Sequence, residues 1–367
     1  MSAETAHPGA GHDGRLAQRR YAKQILVAPI GAEGQARIRQ ASAVVVGLGA
    51  LGTVIADNLC RAGVGRLRLV DRDYVEWSNL QRQTLFDEED AERRLPKAVA
   101  AAEKLRRING EVELEPLIAD VHADNVLDLL GLNSTGDGDK SVAVVLDGTD
   151  NLETRFLLND ACVKTGTPWV YGGALGTTGS TMAIVPGKTP CLRCLIADLP
   201  PPGAMLSCDT EGVLAAVTGV IGSLESAAAL RILVGADVQV PARLLTVDVW
   251  ERDLQAVEVE RRPDCPTCGQ GRFDFLSGER TSWTTVLCGR DAVQIMPPGE
   301  HGDQIAVDLE RLGQRLNVVG EASYNGFLLS FRAEGYELVL FPDGRAIIKG
   351  TTDEAQARGL YARYVGA

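Results

Sequence analysis

Short runs of β-branched and aliphatic residues alternate with longer amphipathic stretches along most of this chain. Residues 43–47 (AVVVG) are apolar and end in glycine, which predicts a strand buried on both faces. A GLGALG turn follows, then a helical stretch at 53–62 and a second strand at 66–70 (RLRLV), closed by Asp71. Strand, glycine-rich turn, helix and strand make the βαβ unit that binds nucleotides. Further strands are predicted at 111–118, 142–146 and 168–171, and helices at 97–108, 124–130 and 154–164. Residues 20–39 read as a leading helical segment. This alternation implies an α/β fold: a Rossmann-like, doubly wound, mostly parallel sheet with helices on both faces.

The pattern changes after a boundary at 269–278. Strands are predicted at 285–296, 318–322, 327–334, 336–341 and 345–349, with helices at 308–316 and 353–365 and a turn at 342–344. The expected organisation is a loose tail at 1–19, a large domain at 20–270 and a small α+β domain at 279–367. Residues 133–140 (NSTGDGDK) are a surface loop by composition, and 200–203 (PPPG) a flexible crossover. The most apolar late stretch, 212–224, ends at Glu225 after about 13 residues, too short to cross a bilayer, and is expected to be a buried helix. No membrane association is expected.

Composition narrows the function. The 367 residues are 45% hydrophobic and 23% charged, enough for a sizeable core, and the net charge of −12 argues against a nucleic-acid-binding surface. The polar start has no signal-peptide character, so the expected location is the cytoplasm. Eight cysteines there point to metal ligation or reactive thiols before disulfides.

Gly47, Gly49 and Gly52 form a GxGxxG turn that lets backbone approach a phosphate at a helix N-terminus, and Asp71 suits ribose hydroxyls. By themselves these residues serve a nicotinamide-dependent oxidoreductase equally well. SNLQRQ (78–83), LPK (95–97) and LDGTDN (146–151) change that balance. They add two cations, Arg82 and Lys97, and the carboxylate of Asp150, which can hold Mg²⁺. Hydride transfer does not need that set. Adenylation does, because a carboxylate attacks the α-phosphorus, pyrophosphate leaves, and the charge must be spread over cations and a metal. A non-catalytic scaffold of the same fold remains a third reading, disfavoured by the intact set of charges.

Cys191 and Cys194 form one CxxC and Cys265 and Cys268 a second, which together predict a structural tetrathiolate zinc site; two redox-active pairs are the alternative. Cys60 and Cys162 read as small core residues. Cys288, in LCGRDAV, either has an arginine beside a reactive thiol or is a buried strand residue, and the second reading is favoured.

Taken in order, RYxxQ…GxxGQ, GLGxLG, LVDxDxVExSNLQRQ, PK, LDGTDN and PCxRC closely resemble the MoeB/ThiF family of ubiquitin-activating-enzyme-like proteins, over residues 20–268. The resemblance implies a homodimer that uses ATP and Mg²⁺ to join AMP to the Gly-Gly end of a ubiquitin-like β-grasp sulfur carrier of MoaD or ThiS type. Molybdopterin, thiamine or thiolated-tRNA synthesis would be served, with a sulfur donor such as a cysteine desulfurase. Nucleotide contacts carried over are Gly49, Ala50, Asp71, Ser78, Asn79, Leu80, Gln81, Arg82, Lys97, Asp150 and Asn151. Cys208, in SCDTEGV, stands where some members take up the carrier covalently.

Two positions depart from the family pattern. Ala50 replaces a usual glycine, which requires a negative φ there. Lys23 replaces the arginine that reaches the partner subunit's phosphates, with Arg20 close enough in sequence to compensate. The C-terminal domain has no arginine-rich cysteine loop of rhodanese type. Its last part resembles one half of a TATA-binding-protein-like repeat, and a carrier-docking role is expected.

Overall fold

The computed structural model describes residues 19–133, 141–199, 211–235, 241–279, 284–287, 291–295 and 307–365. Cys208, Cys288, the 200–203 crossover and nearly all of the 1–19 tail lie outside these residues. Two short helices, α1 (Ala22–Ile25) and α2 (Gly31–Gln40), precede β1 (Ser42–Val46), α3 (Ala50–Ala62) and β2 (Arg66–Asp71). A single 3₁₀ turn at Trp77–Asn79 and a short helix, α4 (Glu88–Glu92), lead to α5 (Lys97–Ile108) and β3 (Glu113–Ile118). Then come α6 (Val126–Leu129), β4 (Val142–Asp147), α7 (Leu152–Thr165) and the hairpin β5 (Trp169–Leu175) and β6 (Thr178–Ile184). The domain closes with α8 (Leu192–Leu195), α9 (Ala215–Leu233), β7 (Arg243–Asp248) and β8 (Asp253–Glu258).

These strands make one sheet in the order β3-β2-β1-β4-β5-β6-β7-β8. The first five run parallel and the last three are antiparallel. The parallel half follows from sequence: β1 is buried along its whole length, as a central strand covered on both faces must be. Strands β6 to β8 were not legible, because β8 is exposed at every position and alternates too weakly to stand out.

Helix α9 corrects the expectation for 212–224. It runs 19 residues, long and apolar enough to cross a membrane by length and composition, and does not stop at Glu225. It packs on α3, where Gly222 brings the backbone so near Val54 that a Cβ would lie 2.9 Å from that side chain. Val217, Ile221, Ala229 and Ile232 join the main core.

In the small domain, β9 (Thr284–Leu287), β10 (Ala292–Ile295), α10 (Leu309–Leu316), β11 (Glu321–Tyr324), β12 (Leu329–Ala333), β13 (Tyr336–Leu340), β14 (Ala346–Lys349) and α11 (Glu354–Tyr364) follow in order. The stretch 285–296, expected as one strand, is an antiparallel pair. All six strands form one antiparallel sheet, β11-β12-β13-β14-β10-β9. Leu309, Leu312, Leu316 and Leu360 cover one face from the two helices. The other face buries Ala292, Val339, Phe341 and Ile347 against Tyr74 and Ile118 of the large domain. The small sheet is thus seated beside the segment that joins β2 to α5.

Candidate functional site

The ends of β1, β2 and β4 meet around the glycine turn. Gly47 has φ +83°, the left-handed region that favours glycine. A Cβ on Gly52 would lie 1.8 Å from the Gly47 carbonyl oxygen, and one on Gly148 2.2 Å from the same atom. The turn after β1 and the loop after β4 are therefore interlocked by bare backbone. Gly49 caps α3 and Ala50 begins it, in helical backbone, so the methyl is accommodated there as required.

Asp71 ends β2, and its two carboxylate oxygens accept from the Leu48 and Asp73 backbone N–H groups, each at 2.6 Å. It thereby ties the glycine turn to the segment that follows. Burial pushes its carboxyl above the usual range, opposed by the Lys97 charge. Lys97 is the first residue of α5, and it is only 4% exposed. A cation at a helix N-terminus opposes the helix dipole. Asp73 offsets this, with its carboxylate 3.2 Å from Nζ and its carbonyl accepting the Lys97 backbone N–H at 2.9 Å.

Between them runs SNLQRQ. Asn79 is buried and its side chain accepts from the Glu76 N–H, so it shapes the 3₁₀ turn. Arg82 donates to the Ser78 carbonyl at 2.7 Å, while Ser78 and Gln81 are exposed and Leu80 packs against the main core. In LDGTDN, Asp147 is fully buried; it accepts from Thr149 N–H and Oγ1 and pairs with Arg155 at 3.0 Å. Asn151 caps α7 through the Glu153 N–H. Asp150, between them, is exposed and forms no hydrogen bond or ion pair among the described residues. A free carboxylate at the carboxyl end of β4 fits a hard cation such as Mg²⁺.

Glu225 of α9 is fully buried near the Asp147–Arg155 pair, with neither carboxylate oxygen hydrogen-bonded among the described residues. Gly172 opposite it has no room for a Cβ, which would sit 1.9 Å from Glu225 Oε1. Asp73, Gly148, Arg155 and Glu225 were not singled out as site residues from sequence, although Asp73 lies within LVDxDxVExSNLQRQ and Gly148 within LDGTDN.

Lys23 is exposed on α1 with no partner among the described residues. Arg20 instead donates to the Ile108 carbonyl at 3.1 Å and faces Glu111. Ile108 ends the helix that Lys97 begins, so within one chain Arg20 is not brought to the glycine turn.

The four knuckle cysteines come together, with sulfurs all within 4.8 Å of one another. Cys191–Cys265 and Cys194–Cys268 are 3.5 and 3.4 Å apart, too far for a disulfide at about 2.05 Å. Tetrahedral zinc at about 2.3 Å from each sulfur would set them about 3.8 Å apart, so the donor set fits. A hydrogen bond from the Cys191 thiol, helped by the Arg262 N–H, holds the Cys194 thiol below its ordinary range. The knuckles are stapled to α7: Asn159 accepts from the Leu192 N–H, and Asp160 from Thr267 Oγ1 and the Phe275 N–H. Cys60 and Cys162 are fully buried core thiols, and burial pushes Cys60 up to about 11.

Residues 21–267 match the ThiF family. The chain belongs to that family. This ThiF-family chain is 41% identical to the sulfur carrier protein ThiS adenylyltransferase of Bacillus subtilis, over 95% of its own length and 99% of the relative's. It is 37% identical to the SAMP-activating enzyme E1 of Haloferax volcanii, covering 70% of this chain and 91% of that one. Among solved structures, E. coli MccB with ATP superposes with a TM-score of 0.57, at 20% identity, over 68% of this chain and 74% of that chain. At that identity the likeness shows the fold.

Proposed function

We propose that the protein is an ATP-dependent adenylyltransferase that activates the terminal Gly-Gly carboxylate of a ubiquitin-like sulfur carrier. The observation that carries this reading is the buried Lys97–Asp73 pair at the start of α5, tied to the glycine turn through Asp71, with Asp150 exposed just past the carboxyl end of β4. The two relatives above, whose names describe sulfur-carrier and SAMP activation, support it. Hydride transfer has no task for Lys97, Asp150 and the cysteine quartet.

The carrier carboxylate is ionised at neutral pH and needs no base. It attacks the α-phosphorus of ATP, the bond to the β-phosphate breaks, and pyrophosphate leaves with the electron pair. Lys97 and Arg82 neutralise phosphate charge, and the glycine turn gives the phosphates close backbone contact. Mg²⁺ held by Asp150 would shield the triphosphate.

The rest of the arrangement is proposed on the same footing. The protein acts in the cytoplasm as a homodimer, with Lys23 reaching the partner's phosphates. Zinc occupies the quartet as a structural ion, Cys208 takes up the activated carrier, and a cysteine desulfurase supplies sulfur. The C-terminal domain contributes to carrier docking. The deciding experiment incubates the protein with ATP, Mg²⁺ and a β-grasp carrier ending in Gly-Gly, measuring pyrophosphate release and carrier mass. An AMP-linked carrier is expected; pyrophosphate release without it, or NADH formation, would defeat the reading.

A further inference from the structure

The C-terminal domain grips the large domain along the crossover from Asp71 to Lys97 and at Ile118 and Asp120 by the end of β3. Arg345 is fully buried, with its guanidinium 3.5 Å from the Phe341 ring centre, and its Nη2 donates to the Arg72 carbonyl at 2.5 Å. Arg72 lies between Asp71 and Asp73, the two acids that hold the glycine turn and Lys97. Gln294 of β10 donates to Asp120 at 2.5 Å, and Asp120 in turn pairs with Arg72 at 3.1 Å. Lys349 pairs at 2.5 Å with Glu76, the residue that caps the 3₁₀ turn of SNLQRQ. At the far end of the crossover, Glu337 and Ser330 hold Arg94, and Asn325 donates to the Arg93 and Arg94 carbonyls.

Arg345 Nη1 and Nε make no hydrogen bond among the described residues, although Nε lies 3.7 Å from an Asp343 carboxylate oxygen. Burying a guanidinium with donors unmet is unfavourable. Where only adhesion between domains is needed, an apolar side chain of similar volume does as well or better. The cation is kept at the one carbonyl between the two acids of the nucleotide site. In an open α/β sheet, ligands lie outside the carboxyl ends of the strands, and the ends of β2 and β3 are where these contacts fall.

We propose that Arg345 and Lys349 are positioning residues for ATP: the C-terminal domain clamps the crossover so that Asp71, Asp73 and Lys97 stand in binding geometry. This rests on the adenylation reading and assigns the C-terminal domain a role in the nucleotide site, separate from any carrier docking.

The test uses the full-length protein with Arg345→Met, Arg345→Lys and Lys349→Met. Leu360→Ala serves as control, because Leu360 lies in the small domain's other core. Titration calorimetry with ATP and Mg²⁺ gives the Kd, and pyrophosphate exchange gives KM for ATP and for the carrier. Arg345→Met and Lys349→Met should each weaken ATP binding about tenfold, the loss of one charge-assisted hydrogen bond, with Arg345→Lys recovering part of it. The carrier KM should stay within about twofold, and Leu360→Ala should lower the unfolding midpoint without changing the ATP Kd. Unchanged ATP affinity in both Met variants overturns the proposal. So does an equal loss of affinity in Leu360→Ala, or a rise confined to the carrier KM. If Arg345→Met does not fold, Lys349→Met decides alone. Wild-type protein that bound no ATP would sink the adenylation reading itself, a different result from any of these.

Discussion

The ammonium of Lys97 and the carboxylate of Asp73 lie 3.2 Å apart, joined a second time by the Lys97 N–H to the Asp73 carbonyl. A nearly buried cation at a helix N-terminus is held in place by an acid that the glycine fingerprint does not include. Lys97→Met should lower kcat/KM for pyrophosphate exchange by about 10²–10³, the scale for losing one preorganised charge in a transition state. Asp73→Asn should act more mildly, since it frees Lys97 without removing it. Wild-type exchange in Lys97→Met would show that the cation serves structure only.

Gly148 and Gly52 both lean on the Gly47 carbonyl. Gly148→Ala has no way to avoid a 2.2 Å clash between backbone atoms and the new Cβ. It should lose about 1–3 kcal/mol of stability together with measurable ATP binding. Calorimetry showing normal ATP affinity in this variant would mean that the interlock is not needed for binding.

The cysteine quartet predicts one zinc per chain by atomic absorption. Cys265→Ser should purify with little metal and unfold at a temperature lower by on the order of 10 °C. Its knuckle is tied through Asp160 to α7, whose first turn follows Asp150, so activity should fall with it. A metal-free wild-type protein of undiminished stability is the contrary result.

Glu225 titrates well above its ordinary value of 4.5, because burial disfavours its charge and Asp147 repels it, with Arg155 opposing. The folded chain thus keeps a proton that the unfolded chain has released. That contribution is fully present below pH 4.5 and is lost as pH rises through the folded value. Glu225→Gln should match wild type near pH 4.5 and unfold at a progressively higher temperature than wild type toward pH 8. Parallel melting curves across that range would refute it.

Lys23 has no partner among the described residues, whereas Arg20 is occupied with Ile108 and Glu111. Lys23→Ala should impair exchange, as should Asp150→Asn, and mixing the two variants should restore part of it through hybrid dimers. Mixtures no more active than either parent would place Lys23 outside the partner's site.

Much of the nucleotide end was legible because its causes are local. A buried central strand needs an unbroken β-branched run, a tight turn needs glycine, and knuckle cysteines need turn residues beside them. Residues 43–47, Gly47, Gly52 and the paired CxxC motifs therefore announce themselves. Helix α9 was legible as a buried helix only up to Glu225, which reads as the end of an apolar run; tertiary burial against α3 and the sheet carries the helix past it.

The chain's order of residues thus determined the βαβ unit, the adenylation motifs and the two CxxC knuckles, each through short-range geometry. Tertiary structure alone decided that Asp73 holds Lys97, that Gly148 interlocks with the first glycine turn, and that Arg345 comes to lie on Arg72. Those contacts join residues whose separation along the chain carries no period or spacing: pairing of β1 with β4, the fold of the β2-to-α5 crossover and the seating of the small sheet on the large domain bring them together.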